Sequence, residues 1–370
     1  MNLKTEQIAK YTDAYFIKTT QTIASHGINP VVLFQVFQKK EGIMAGGAWV
    51  QALLQDVSNI ELWLLPDGSP LVPGEPVMYL KGFAQDIVPF ETSYLGNLAR
   101  STRIASNVNR AVKAANGKPV LFFPARFDAS RFQYHDGWAA AVGGAASCST
   151  EEQMAGWNAY HKKNMKPTGT MPHALIGLYD GDTAAASMAY AETYPGEDVW
   201  PLVDFTNDCA RTAAQVFKAF RDRGKSWENR LAGVRLDTSE KNIDFGLLPP
   251  GVTMEQMLAE ESAGDDRPGK YTTKHNGVCP SLVEHVRRQL NLVGGNNVKI
   301  CVSGGFTDEK IRRFEQAKVP VDVYAIGESF LSGAQAFTSD MVAKFDGFKM
   351  IPIAKMGRAY IPSDRPKRVI

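Results

Sequence analysis

The sequence predicts an α/β protein whose second part, from residue 118 onward, is built from βα units around a parallel sheet. Three observations carry this. Short apolar runs at Val120–Phe123, Pro201–Phe205, Gly233–Leu236, Val298–Val302 and Val321–Ile326 alternate with helical patterns such as Cys209–Arg223 and Asp308–Gln316. The runs are nearly continuous in apolar residues, as strands buried on both faces require. Polar residues and glycines follow the strand ends: Asp204 after Val203, Asp237 after Leu236, Ser303-Gly304-Gly305 after Val302, and Gly327-Glu328-Ser329 after Ile326. Closed α/β barrels and open doubly wound sheets both place their sites at that end. The first βα turn lacks GxGxxG, which disfavours a nucleotide-redox domain.

Taken in order, residues 6–25 predict a helix and Pro30–Gln38 a strand. A helical stretch follows near 45–55, with Gly46 and Gly47 inside it. Ile60–Leu65 and Val77–Phe83 predict two more strands. Glu91–Ala115 has a long helical pattern that Asn116-Gly117 stops. The βα rhythm is interrupted at 239–280 by Pro249-Pro250, Gly251, an acidic stretch from Glu260 to Asp266, and Pro268. One short helix is expected there, at 253–260. Such a connection is a lid or a solvated insertion.

Composition narrows the function. The 370 residues carry 41 Lys plus Arg against 39 Asp plus Glu, a net charge of +2. That balance excludes a bulk nucleic-acid binder, which needs a basic face. Anionic ligands must be held by a few local cations and backbone N–H groups. With 44% hydrophobic residues the chain is too apolar to be disordered. Cys148, Cys209, Cys279 and Cys301 form no CxxC pair, so no structural metal site or disulfide framework is expected. No apolar leader and no run of 18 apolar residues is visible, so the expectation is a cytoplasmic protein with no membrane partner.

Four constellations carry candidate chemistry. Ser303-Gly304-Gly305, with a helix opening at Thr307-Asp308, lets a phosphate approach loop N–H groups. An ordinary tight turn is the alternative. Gly327-Glu328-Ser329, one strand later, offers a second small-residue turn, and paired phosphate loops on the last barrel strands recur in α/β barrels. His173, in Gly169-Thr170-Met171-Pro172-His173, suits acid–base work, metal ligation or transient phosphorylation, or is structural. Arg235 and Asp237, two apart on a strand, face one side and form either an anion site or a mutually satisfied ion pair. Arg126 and Asp204 are further strand-end candidates.

These motifs resemble those of nicotinate phosphoribosyltransferases. The likeness lies in VRLDT (234–238), GTMPHAL (169–175), VSGGF (302–306), MGR (356–358), YTDAYF (11–16), ETSYLG (91–96) and LVDFTND (202–208), in family order over nearly the whole chain. The resemblance implies the type II phosphoribosyltransferase fold: an incomplete α/β barrel, here 118–334 with the 239–280 insertion. A mixed α/β domain is built from both termini, here 1–117 plus 335–370. It implies transfer of 5-phosphoribosyl from phosphoribosyl diphosphate to nicotinate, giving nicotinate mononucleotide and diphosphate in NAD salvage. ATP is co-substrate, through a phosphohistidine, with Mg²⁺ required. A homodimer is implied, with sites at the interface.

Residue by residue, the resemblance makes His173 the phosphohistidine and Tyr15 the aromatic on the pyridine ring, often supplied by the partner subunit. Arg235 lies near the carboxylate and ribosyl group. Thr170 lies beside the same pocket, and Arg126 matches a basic residue at a strand end. Asp204 and Asp237 surround the ribose and its magnesium. Ser303, Gly304 and Gly305 form one phosphate loop, and Gly327, Glu328 and Ser329 the other. One departure stands out. The family commonly shows Gly-Val-Gly-Thr or Gly-Val-Gly-Ser where this chain has Ala325-Ile326-Gly327-Glu328, which puts a negative charge beside a phosphate. A type II transferase for nicotinamide or quinolinate, or a non-catalytic nucleotide-binding relative, are the alternatives.

Overall fold

A computed structural model of the chain describes residues 8–248, 251, 256 and 275–370. The helix expected at 253–260 lies outside the described residues, apart from Gln256.

Two large sheets organise the molecule. The first has six strands, all paired antiparallel. Its centre is β1 (Val31–Gln38), between β5 (Pro76–Phe83) and β11 (Phe337–Phe345). β3 (Glu61–Leu64) and the short β13 (Lys367–Arg368) extend one side, and β12 (Met350–Pro352) the other. The N-terminal strands thus pair with strands from the far end of the chain. Alternation along β3 buries Leu62 and Leu64 in a core shared with Val36, Met78, Leu80, Phe90 and Leu98.

The second sheet is wholly parallel. It runs β7 (Ser147–Cys148), β6 (Val120–Phe122), β10 (Val323–Ile326), β9 (Lys299–Val302), β8 (Gly233–Leu236). The strand expected at Pro201–Phe205 is reduced to isolated parallel bridges, Val199 to Leu231 and Leu202 to Arg235. Pro201 has no N–H to give a ladder, although its carbonyl accepts from Arg235 N at 2.8 Å. Beyond it, residues 168–171 close the ring with single bonds. Thr168 N donates to the Cys148 carbonyl at 2.9 Å, and Met171 N to the Trp200 carbonyl at 3.3 Å. The result is an incomplete α/β barrel, with its gap spanned by the Gly169-Thr170-Met171 segment.

Alternation on the barrel strands decides what faces inward. Val234, Leu236, Ile300, Val302, Tyr324 and Ile326 face the helices and form the main core with Val216, Phe220, Val286 and Leu290. Leu121, Cys301 and Ala325 face inward and pack with Phe123, Val323 and Trp200. Gly233 leaves room for the Trp200 ring, which a Cβ there would strike. This apolar plug fills the barrel floor and pushes Arg235 and Ser303, one position further along each strand face, to the open end.

Local signals set the helices. Glu91–Ala114 is one unbroken helix, stopped by Asn116 and Gly117 at φ 50° and 87°. The expected helix at 6–25 is instead a 3₁₀ turn, Ala9–Tyr11, and a helix Ala14–Ser25, separated at Thr12-Asp13. There Thr12 and Asp13 bond to Pro89 and Thr92 at the start of the long helix, so tertiary bonding overrides the local pattern. The helix near 45–55 begins at Gly47, and Gly46 serves as its N-cap at φ 95°. No helix among the described residues is long and apolar enough to cross a membrane.

Candidate active site

The open end of the barrel holds a cavity of about 920 Å³, lined by residues from the ends of β6, β8, β9 and β10. Arg235 is its electrostatic centre. All three faces of its guanidinium are bound: Nε to Ser303 Oγ at 2.8 Å, Nη1 to Thr170 Oγ1 at 2.8 Å, and Nη2 to Asp237 Oδ2 at 3.0 Å. Ser303 Oγ donates to Asp237 Oδ1 at 2.7 Å. The Arg235–Asp237 ion pair therefore exists, as one side of a closed network that fixes the arginine's plane. The Phe123 ring lies 5.8 Å from Arg235 Cζ.

The two glycine turns follow the neighbouring strands β9 and β10 and lie side by side, the first contributing Ser303 to this network. Gly304 and Gly305 hold φ of 78° and 60°, a region that β-carbon-bearing residues avoid. Thr307 caps the following helix, its hydroxyl accepting from Lys310 N at 3.2 Å. The second turn is a 3₁₀ segment, Glu328–Leu331. Ser329 Oγ donates to the Phe306 carbonyl at 2.8 Å, and the Asn107 amide holds the carbonyls of Phe330 and Ser332 at 2.9 and 3.0 Å. Phe127 packs over Gly327, where a Cβ would lie 2.7 Å from Phe127 Cε2.

His173 opens the short helix His173–Leu178, directly after the segment that spans the barrel gap. Its Nε2 is 3.0 and 3.1 Å from the two oxygens of Asp204, whose side chain is almost fully buried. Asp204 raises the imidazole pKa through this bond; partial burial opposes the rise and Asp237 adds to it. His173 is linked to the cavity through its neighbour Thr170, which binds Arg235.

The structure thus brings His173, Asp204, Thr170, Arg235, Asp237, Ser303, Gly304, Gly305, Gly327, Glu328, Ser329 and Arg126 to one barrel mouth. Arg126 lies on a 3₁₀ turn, exposed, with no carboxylate paired to it among the described residues. Glu328 is exposed on the cavity wall. Tyr15 is not brought there. It stands exposed on the helix Ala14–Ser25, near Asp13 and Glu91, beside the six-stranded sheet. The structure adds lining residues that motif reading missed: Phe123, Phe127, Ser149 and Glu240. Phe123 ends an apolar strand, and only the inward alternation of β6 shows that its ring faces the mouth.

Among the described residues, no group of three or more His, Cys, Asp or Glu side chains is arranged to hold a metal ion. The cysteines are all buried and free, and burial pushes their thiols up in pKa, so none is primed as a thiolate.

Comparison with known proteins agrees with this geometry. Residues 13–102 match the family described as the N-terminal domain of quinolinate phosphoribosyl transferase. Nicotinate phosphoribosyltransferase pncB2 of Mycobacterium tuberculosis is 24% identical over 380 residues, covering 92% of this chain and 71% of that protein. The crystal structure of nicotinate-nucleotide pyrophosphorylase from Pyrococcus furiosus superposes with a TM-score of 0.74 at 27% identity, over 96% of this chain and 80% of that one. Human nicotinic acid phosphoribosyltransferase shares the fold, with a TM-score of 0.60 at 16% identity over 90% and 75% of the two chains. The incomplete barrel with its antiparallel partner sheet is the type II phosphoribosyltransferase fold, and over most of its length the chain is similar to nicotinate phosphoribosyltransferases and nicotinate-nucleotide pyrophosphorylases.

Proposed function

We propose that this enzyme joins nicotinate to the ribosyl group of 5-phosphoribosyl 1-diphosphate, giving nicotinate mononucleotide and diphosphate, with ATP coupled through phosphorylation of His173. The observation that carries the reading is the coupling of two units at one barrel mouth: the Arg235–Thr170–Ser303–Asp237 network and the His173–Asp204 pair.

In this reaction the pyridine nitrogen attacks C1 of the ribosyl group, and the C1–O bond to diphosphate breaks with its electron pair going to the leaving group. No protein nucleophile is needed, so the chain's work is to position the reactants and balance charge. Phe123 offers a ring-sized face beside Arg235 for the pyridine. Arg235 cannot swing toward a ligand without breaking three bonds, which favours planar, directional contact over a loose charge. Asp237 is placed to accept ribosyl hydroxyls. The glycine turns offer backbone N–H groups to phosphates. Mg²⁺, when bound, would neutralise diphosphate charge; such ions are commonly held by one or two carboxylates and the substrate's own phosphates, and Asp237 on the cavity wall fits that modest role.

With Asp204 engaging Nε2, the nitrogen left for phosphoryl transfer from ATP is Nδ1, which has no hydrogen-bond partner among the described residues. Asp204 also stabilises positive charge on the ring as the N–P bond forms and ADP leaves. The phosphohistidine adds roughly two negative charges beside the substrate site. A dimer that brings Tyr15 of one protomer to the cavity of the other completes the reading, since Tyr15 is exposed and lies outside its own chain's cavity.

The match of residues 13–102 to the quinolinate domain supports a second reading, transfer to quinolinate with loss of CO₂. The cavity favours nicotinate. Of its two lining arginines, Arg235 already spends three of its five N–H donors on Ser303, Thr170 and Asp237, and only Arg126 has its whole guanidinium open to a carboxylate. The test is product formation from nicotinate, nicotinamide and quinolinate, each with and without ATP. ATP-stimulated nicotinate mononucleotide from nicotinate alone is expected. No product from nicotinate at any ATP level overturns the proposal.

A further inference from the structure

The Ser303-Gly304-Gly305 loop is flanked by two carboxylates. Asp237 Oδ1 lies 3.4 Å from the place a Cβ on Gly304 would take, and Glu240 Oε1 fills the place of a Cβ on Gly305. Asp237 is accounted for by Arg235 and Ser303. Glu240 is not, because it makes no hydrogen bond to the loop and its side chain is two-thirds exposed. Its nearest cation is Lys310, with Nζ 3.8 Å from Oε1.

Lys310 is the more telling residue. It stands in the first turn of the helix Asp308–Gln316, with its side chain mostly buried. Its Nζ reaches the Gly304 carbonyl at 3.4 Å and lies 4.5 Å from the centre of the Phe306 ring. Burial lowers its pKa, and Glu240 opposes that fall. An ammonium taken out of water needs an anion nearby. Here that anion is Glu240. The surrounding turn is pinned, with Gly277 N donating to the Asn242 carbonyl at 2.7 Å and Asn242 N to the Ser239 carbonyl at 2.9 Å. Only the Glu240 side chain is free to leave.

We propose that Glu240 is a resident stand-in for phosphate: it neutralises Lys310 while the Ser303-Gly304-Gly305 loop is empty, and the substrate's phosphate displaces it and takes Lys310 as counter-ion. The inference rests on the reading of this loop as a phosphate site. It makes Lys310 a phosphate-binding residue and Glu240 a competitor built into the chain. The exchange keeps Lys310 charged in both states, while a carboxylate and a phosphate cannot share the loop without repulsion.

Calorimetric titration of the full chain with inorganic phosphate tests this, using wild type, E240Q, E240A and K310M. If Glu240 occupies the loop about nine-tenths of the time, E240Q and E240A tighten phosphate about tenfold. K310M weakens phosphate, and E240Q added to K310M gives no gain, because nothing then holds Glu240 in the loop. Unchanged or weaker phosphate binding in both Glu240 variants overturns the stand-in and leaves the loop reading standing. No phosphate binding by wild type or either Glu240 variant removes the loop reading, and the stand-in with it.

Discussion

Asp204 holds Nε2 of His173 at 3.0 Å from a buried position, and this single bond decides which ring nitrogen is available and how readily the ring carries charge. A carboxylate on one imidazole nitrogen favours the protonated form and fixes the tautomer of the neutral one. Replacing Asp204 with Asn removes the main cause of the raised pKa, so the ring should titrate at lower pH than in wild type. Following the His173 Cε1–H resonance by NMR against pH checks this; an unmoved titration would mean that Asp204 does not govern the ring. His173→Ala should remove ATP stimulation while leaving basal phosphoribosyl transfer largely in place.

Arg235→Lys keeps the charge and loses the fork. A single ammonium cannot reach Ser303, Thr170 and Asp237 in the plane they now share. At about 1.5–3 kcal/mol for each lost bond to a charged group, a fall in kcat/KM of at least about a hundredfold is expected. Steady-state kinetics with near-native circular dichroism would show that the loss lies in the site. A variant within a few-fold of wild type would contradict the central role of the network.

Glu328 faces the cavity from the turn after β10, beside Gly327. Its carboxylate opposes an incoming phosphate without a cation paired to it among the described residues. Glu328→Thr should lower KM for phosphoribosyl diphosphate, by about tenfold if about 1.4 kcal/mol of repulsion is removed. The gain should shrink as salt is raised. A higher KM would instead identify Glu328 as a ligand of the substrate or its cation.

Glu91 tests the fold away from the barrel. Burial, then the charge of Asp340, pushes its carboxyl up to about 7, against an ordinary 4.5. A carboxyl whose pKa is raised on folding binds more protons folded than unfolded between those values. Its contribution is therefore present at pH 4.5 and lost as pH rises through about 7. Glu91→Gln should flatten the decline of melting temperature between pH 5 and 8 relative to wild type. Parallel profiles for the two proteins would show that Glu91 ionises normally.

Most elements were legible because their signals are local. The apolar run Val31–Gln38, the Asn116-Gly117 stop and the Thr307-Asp308 start each act within one turn or one strand, and each appears in the structure close to its expected bounds. The failures have long-range causes. The helix at 6–25 breaks because Thr12 and Asp13 find partners about 80 residues away. The strand at Pro201–Phe205 thins to bridges because Pro201 lacks a donor and its neighbour at 168–171 crosses the barrel gap as a loop.

The same division holds at the site. Sequence alone determined that carboxylates, glycines and one arginine end successive buried strands, because strand periodicity and turn chemistry are written in adjacent residues. It left open whether Arg235 pairs with Asp237 or serves a ligand, and it gave no reason to single out Phe123, Lys310 or Glu240. Tertiary structure decided those points. Only barrel closure sets Thr170 and Ser303 against Arg235, 65 and 68 residues distant, and only the turn after β8 lays Glu240 across Gly305. Polar groups so far apart along the chain interact only when the backbone between them is fixed, because hydrogen-bond and electrostatic energies depend on distance in space and on the water that folding removes.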